Sequence, residues 1–272
     1  MPVVTMLNQK GGVGKTSACH HLAGTLAKAG HRILLVDNDP QASLTQGFWG
    51  PDATRAIDPD ESVAALYAPH LAAIPAALIR PTGFDNVAIV PGSEDLTRYN
   101  ITPAADWARS QRGMADFLDE VRGAFDIVLV DCPPNLHLCS WAALVASDHL
   151  VVPVQAEDYG AQGLGPVQRS VQAVRSGPNP ALGLLGYLIT MFDKRLAIHL
   201  AYETLLRQMY GPDVFAAAFP LAKDFKEAVA ARQPISHYKP KVAAAKATRA
   251  VADELLARIE AAEAARDGRS AA

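Results

Sequence analysis

The stretch that decides the fold runs Val3-Val4-Thr5-Met6-Leu7-Asn8-Gln9-Lys10-Gly11-Gly12-Val13-Gly14-Lys15-Thr16-Ser17. A short apolar run breaks into a glycine-rich loop, and the loop passes at once into a segment of helical periodicity, Thr16–Ala29. Glycines let a backbone curl with its N–H groups inward, and the N-terminus of the following helix adds its dipole, so the segment suits a polyphosphate. On this reading Gly11, Gly12, Val13, Gly14, Lys15, Thr16 and Ser17 surround the phosphates of a nucleotide. Lys15 reaches the outer phosphates, and the Thr16 hydroxyl ligates Mg2+. The strict pattern G-x-x-x-x-G-K-[ST] fails at its first position, which is Gln9, and an additional lysine, Lys10, opens the loop instead.

Outward from this loop, short Val/Ile/Leu-rich runs alternate with longer helical stretches, the pattern of a parallel sheet covered on both faces. Strands are expected at Val3–Asn8, Arg32–Val36, Val87–Val90, Ile127–Asp131, His149–Val154, Gly183–Thr190 and Val214–Ala217. Helices are expected at Thr16–Ala29, Ser62–Tyr67, Gln111–Val121, Leu138–Val145, Gly163–Arg175, Ile198–Met209 and Ala243–Ala265. The fold class is therefore α/β, a mostly parallel twisted sheet with helices on both faces, in one domain over 1–265. Residues 266–272 read as a frayed tail, and the Pro-, Ala- and Asp-rich stretch 47–91 as an insertion with one short helix.

Two further strand ends carry acids. Leu34-Leu35-Val36 leads into Asp37-Asn38-Asp39-Pro40-Gln41, and Ile127-Val128-Leu129-Val130 into Asp131-Cys132-Pro133-Pro134. Ligands of such sheets bind at the C-terminal edge, where these carboxylates fall. Two Asp two residues apart in an extended segment share a side, so they suit a Mg2+ shell and the orientation of a water at a γ-phosphate. Asp131, ending a hydrophobic strand, suits Mg2+ held through water.

The Lys-Gly-Gly-Val-Gly-Lys-Thr loop, the D-x-D-P-Q segment and the Asp131 strand together resemble the ParA/Soj/MinD family of ATPases with a deviant Walker A loop, over roughly residues 3 to 260. The resemblance is closest to the ParA/Soj partition type. It implies a P-loop NTPase that uses Mg·ATP and dimerises on ATP, with weak turnover until a partner stimulates it. It implies that Lys10 crosses the dimer to the partner subunit's phosphates, where a second cation offsets transition-state charge as an arginine finger does. By the same match Asp39 serves the attacking water and Asp37 the Mg2+ surroundings. Pro220, in Phe219-Pro220-Leu221, corresponds to the adenine contact, although family members often carry Arg where Leu221 stands. Non-specific duplex DNA, a ParB-like or cargo adaptor, and a cytoplasmic, nucleoid-associated location complete the implied picture.

Composition is compatible with that picture. The 272 residues are 50% hydrophobic and 19% charged, enough for one large core. Residues 219–250 hold seven Lys/Arg against two acids, a local +5, which leaves −8 on the rest of a chain of net charge −3. Lys223, Lys226, Arg232, Lys239 and Lys241 are the candidate DNA contacts, since phosphate binding needs cations on one face and no particular motif. No basic-flanked leader and no membrane-length apolar run is evident, and with the first strand at the very start no preceding operator-binding domain is expected. Two other classes remain. A MinD-like membrane-cycling ATPase needs a lipid-inserting C-terminal helix, for which acidic 251–263 is poor material. The other is a metabolic or redox enzyme on this scaffold, such as a nitrogenase iron-protein relative or a small-molecule ligase; an iron–sulfur cluster bridging a dimer needs cysteine pairs that Cys132 and Cys139 do not supply. His20 and His21 are adjacent on one helix and point apart, which suits packing rather than a metal.

Overall fold

The computed structural model describes residues 1–68, 73–100, 111–157 and 164–270. Seven strands form one sheet: β1 (Val3–Met6), β2 (Ile33–Asp37), β3 (Arg80–Pro81), β4 (Val87–Val90), β5 (Ile127–Asp131), β6 (His149–Gln155) and β7 (Gly183–Thr190). Their order is β3-β4-β2-β5-β1-β6-β7. Every pairing is parallel except the short edge strand β3 against β4.

Side-chain alternation explains why both faces need cover. In β2, Leu34 and Val36 join one core while Ile33 and Leu35 join the other; in β5, Val128 and Val130 oppose Ile127 and Leu129. Helices α5 (Gly113–Glu120), α6 (Leu138–Ala146), α7 (Leu164–Arg175) and α8 (Ala197–Tyr210) contribute residues to the first core. Helix α1 (Lys15–Lys28), α2 (Ser43–Trp49), α9 (Lys223–Ala230), α10 (Ile235–Tyr238) and α11 (Ala243–Ser270) contribute to the second. Short helices α3 (Pro51–Arg55) and α4 (Pro75–Leu78) lie in the stretch read as an insertion.

Several expected elements change. Val214–Ala217 is not a strand: it makes a single bridge, Val214 to Tyr187. Phe215 N still donates to Tyr187 O of β7 (2.9 Å), but other backbone groups of the segment go to α11, where the Glu254 carboxylate accepts from Ala216 N (2.9 Å) and Ala217 N (2.8 Å) and Arg258 Nη2 donates to Val214 O (3.1 Å). The helix expected at Ser62–Tyr67 is a 3-10 turn over Val63–Leu66, and Ser62 Oγ caps it by accepting from Ala64 N. Helix α7 begins at Leu164, and the expected start, Gly163, lies outside the described residues.

The C-terminal tail also departs from expectation. Helix α11 continues through Ser270, past the expected end at Ala265. Arg266 anchors the added turn, donating to the Asp148 backbone oxygen (2.9 Å), the Asp148 carboxylate (3.4 Å) and the Ala181 carbonyl. Among the described residues no helix is long and apolar enough to cross a membrane.

Candidate nucleotide site

The loop between β1 and α1 owes its shape to Asn8 and two glycines. Asn8 is buried; its Nδ2 donates to Pro153 O (2.7 Å) and its Oδ1 accepts from Lys10 N (3.0 Å). Gly12 and Gly14 adopt φ of 76° and 83°, the left-handed region that side chains resist. Gly14 precedes α1 without any side-chain cap, so the first-turn N–H groups stay available to an anion. From the far side, Thr190 Oγ1 at the end of β7 donates to Val13 O (2.8 Å).

Lys15 lies back over this loop, its Nζ donating to Asn8 O (3.1 Å) and Lys10 O (3.4 Å). Burial lowers its pKa, and the charge of nearby Asp131 opposes the shift. Lys10 differs in kind. It is about one-third exposed and pairs with Glu157 at 3.3 Å, so its cation stands at the rim and not in its own loop.

The parallel register sets Asp37 beside Asp131, and Asp131 beside Met6 at the foot of the loop. Both acids are fully buried. Asp37 Oδ2 accepts from Thr45 N (2.7 Å) and Thr45 Oγ1 (2.6 Å), capping α2, while Oδ1 has no partner. Burial pushes the Asp37 carboxyl up to about 7 despite those bonds. Burial likewise drives Asp131 well above the usual range, with repulsion from Asp37 adding, and the Thr16 hydroxyl and Lys15 opposing. Neither Asp131 oxygen has a formed hydrogen bond. Three orphaned carboxylate oxygens in a closed space are costly unless a cation takes them. Thr16, Asp131 and the free oxygen of Asp37 therefore fit Mg2+, whose remaining positions suit water and phosphate. Asp39 is half-buried, and its Oδ1 accepts from Gln41 N (2.9 Å). Among the described residues no group of three or more His, Cys, Asp or Glu is placed to hold a metal ion by those side chains alone.

Beside the loop opens a cleft of about 550 Å3, lined by Gly14, Ser17, Met191, Phe219, Pro220, Leu221, Phe225, Lys226 and Val229 among others. Its mostly apolar walls match a heterocyclic base next to a phosphate cradle. Pro220 lines it, and the Pro220 segment is tethered there by a bridge to Phe192. Leu221 is 53% exposed at the same cleft. Sequence reasoning missed Asn8, Thr45, Thr190 and Met191; Met191, at φ 52°, carries no sequence signal for its strained backbone.

The five candidate DNA residues do not form one uniform free patch. Lys239 Nζ pairs with Asp224 (3.3 Å) and Glu227 (2.5 Å), and Lys223 pairs with Glu227 (3.3 Å) while remaining 83% exposed. Arg232, at φ 56°, lies against Gly50 with Nη1 3.5 Å from Gln46 O at the end of α2. Lys226 lines the cleft beside the phosphate loop, and Lys241 is exposed.

Comparison with known proteins agrees with this geometry. The profile of a family described as an AAA domain matches residues 1–184. The chromosome-partitioning ATPase Soj of Thermus thermophilus is 34% identical over 263 residues, covering 94% of this chain and 96% of its own. Among solved structures, cobyrinic acid a,c-diamide synthase from Mycobacterium smegmatis with a bound ATP analogue and magnesium has a TM-score of 0.78 at 28% identity, covering 94% of each chain. An ATP complex of Cyanothece McdA has a TM-score of 0.80 at 19% identity, covering 94% of this chain and 96% of that one, a likeness of fold. With the deviant loop, the paired strand-end acids and an apolar cleft in one place, and a 34% identical Soj relative covered over nearly its whole length, the chain belongs to the ParA/Soj/MinD family of P-loop ATPases.

Proposed function

We propose that this protein is a Mg·ATP-dependent dimerisation switch of the partition type, which binds DNA without sequence preference in its ATP form and positions a chromosome, plasmid or other cargo. The observation that carries the proposal is Lys10: its cation sits at the rim of a loop already served by Lys15, paired with Glu157 and turned away from its own loop, which suits it to meet a second subunit's γ-phosphate. The α1 N-terminus and Lys15 hold the phosphates, and Asp39 aligns the attacking water. Magnesium, when bound by Thr16 and Asp131 with Asp37 alongside, supplies charge neutralisation on the phosphates. Lys10 of the opposing subunit completes the site, which keeps turnover weak until an adaptor of ParB-like or cargo-bound type stabilises the closed dimer. A cytoplasmic, nucleoid-associated location follows from that cycle.

The exposed cations for DNA are Lys226 and Lys241, joined by Lys223, with Lys239 and Arg232 first having to leave their present partners. A membrane-cycling role has less support, because Val251, Ala252, Leu255 and Ile259 of α11 are buried in the core and are not free for lipid. An ATP-dependent ligase is a second reading, favoured by the likeness to the cobyrinic acid a,c-diamide synthase structure. Binding to random-sequence duplex DNA, with no nucleotide, ADP or ATP and at two salt concentrations, separates these readings. ATP-dependent, salt-sensitive binding supports the switch. Absence of DNA binding in every nucleotide state sinks it.

A further inference from the structure

Between the two strand-end acids stands a buried polar side chain with no assigned task, Asn38. Its backbone N donates to Asp131 O (2.9 Å), its Nδ2 donates to Cys139 O (2.8 Å) in the first turn of α6, and its Oδ1 accepts from Tyr67 Oη (2.7 Å). The amide orientation is fixed by chemistry, because a backbone carbonyl only accepts and must face the NH2 group. Tyr67 is itself 1% exposed, follows the Val63–Leu66 turn, and stacks on Tyr99 with ring centroids 6.2 Å apart. The side chain thus joins three separated stretches, the end of β2, the start of α6 and the segment before residue 68, while the backbone N–H adds the end of β5. Packing alone would be met by a leucine of similar volume, so an amide whose bonds are matched on both sides points to a geometric requirement.

We infer that Asn38 is a positioning residue for ATP hydrolysis, its amide clamping the Asp39 loop to the start of α6, where the Asp131 loop ends, with Tyr67 as its anchor. The inference rests on the ATPase reading above. Asn38 touches no reacting atom; it acts through its neighbour Asp39, whose carboxylate must stand in line with a γ-phosphate held from the other loop. Displacement of such a group by even 1 Å lowers turnover sharply while leaving nucleotide binding to the phosphate loop intact.

The test compares wild type with Asn38→Leu, Tyr67→Phe, the double variant and Lys15→Ala as full-length proteins. Single-turnover hydrolysis of Mg·ATP is scored per bound nucleotide, beside affinity for a non-hydrolysable ATP analogue and the melting temperature. Scoring per bound nucleotide removes any loss of folded protein, and Tyr67→Phe keeps the ring and its stacking if Asn38→Leu folds poorly. The expected result is a fall of about tenfold or more for Asn38→Leu and a smaller one for Tyr67→Phe, with affinity changed by less than about twofold. The double variant should be no slower than Asn38→Leu. Wild-type turnover per bound nucleotide in both single variants overturns the inference, as does a loss confined to affinity. Wild-type turnover no higher than that of Lys15→Ala instead removes the ATPase reading, and this inference with it.

Discussion

Two lysines five residues apart illustrate how much position decides. Lys15 is buried against backbone oxygens of its own loop, whereas Lys10 is held at the rim by Glu157. Lys10→Ala should therefore keep ATP affinity near wild type while lowering ATP-dependent dimerisation and stimulated turnover, the latter by about a hundredfold or more for loss of a finger-like cation. Light scattering with ATP and phosphate release with the stimulating partner check this, and an unchanged dimer with full turnover counts against the cross-subunit role. Asp39→Ala should retain ATP and accumulate the dimer, with turnover down about a hundredfold; a variant that binds ATP but stays monomeric contradicts that assignment. A different kind of residue effect comes from His149. Both its ring nitrogens are buried without partners, and burial holds its pKa down at about 4, aided by the charge of Arg266. A folded-state pKa below the unfolded value of 6.5 means the unfolded chain binds the proton first as pH falls. His149 contributes no pH dependence above 6.5 and costs stability between 6.5 and 4. His149→Leu should gain on wild type by up to about 1.4 kcal/mol per pH unit across that window, read from denaturant midpoints.

At the scale of elements, α1 links the phosphate site to the C-terminal part of the chain. Its Gly24 leaves no room for a side chain: an added Cβ would come 2.3 Å from Pro234 Cβ, just ahead of α10. His21, on the same helix, accepts from Ile235 N (3.1 Å), so the helix and the 234–238 segment are held by both contact and hydrogen bond. Gly24→Ala should destabilise by about 1–3 kcal/mol through overpacking, without altering the phosphate loop; a melting temperature equal to wild type would show that the contact yields freely. Helix α2 shows why short elements escape sequence reading. Seven residues carry too little periodicity, and its cap is the carboxylate of Asp37, which bonds the N–H and hydroxyl of Thr45 eight positions on.

For the molecule as a whole, the sheet edge gathers the nucleotide groups while the excess positive charge lies in residues 219–250. The structure divides that charge into neutralised and available cations. Lys226 and Lys241 carry no salt bridge among the described residues, whereas Lys239 has two acidic partners. Neutralising Lys226 and Lys241 should lower the slope of log K against log salt for ATP-dependent DNA binding by about 0.9 per lost phosphate contact, whereas Lys239→Gln alone should change it little. Equal effects from all three would mean that the Lys239 ion pairs open on DNA.

Much of this was determined by sequence alone. Local chemistry fixed the phosphate loop, because glycine freedom, a following helix and a lysine act within about ten residues. Strand burial was equally legible, since an alternating or continuous apolar run needs no knowledge of its partners, and β4, β5 and β7 fall where expected. Asp37 and Asp131 were placed at the sheet edge by their position at the ends of strands. Tertiary structure decided what depends on distant residues. Glu254 and Arg258 turned an expected strand at 214–217 into a tethered loop, and Arg266 kept the last helix turn from fraying. Only packing could show that Asp37 gives one oxygen to a helix cap, that Lys239 is already paired, and that Asn38 joins segments 101 residues apart in the chain. Hydrogen bonds and desolvation act through space, and composition and spacing along a chain do not encode which distant groups will meet.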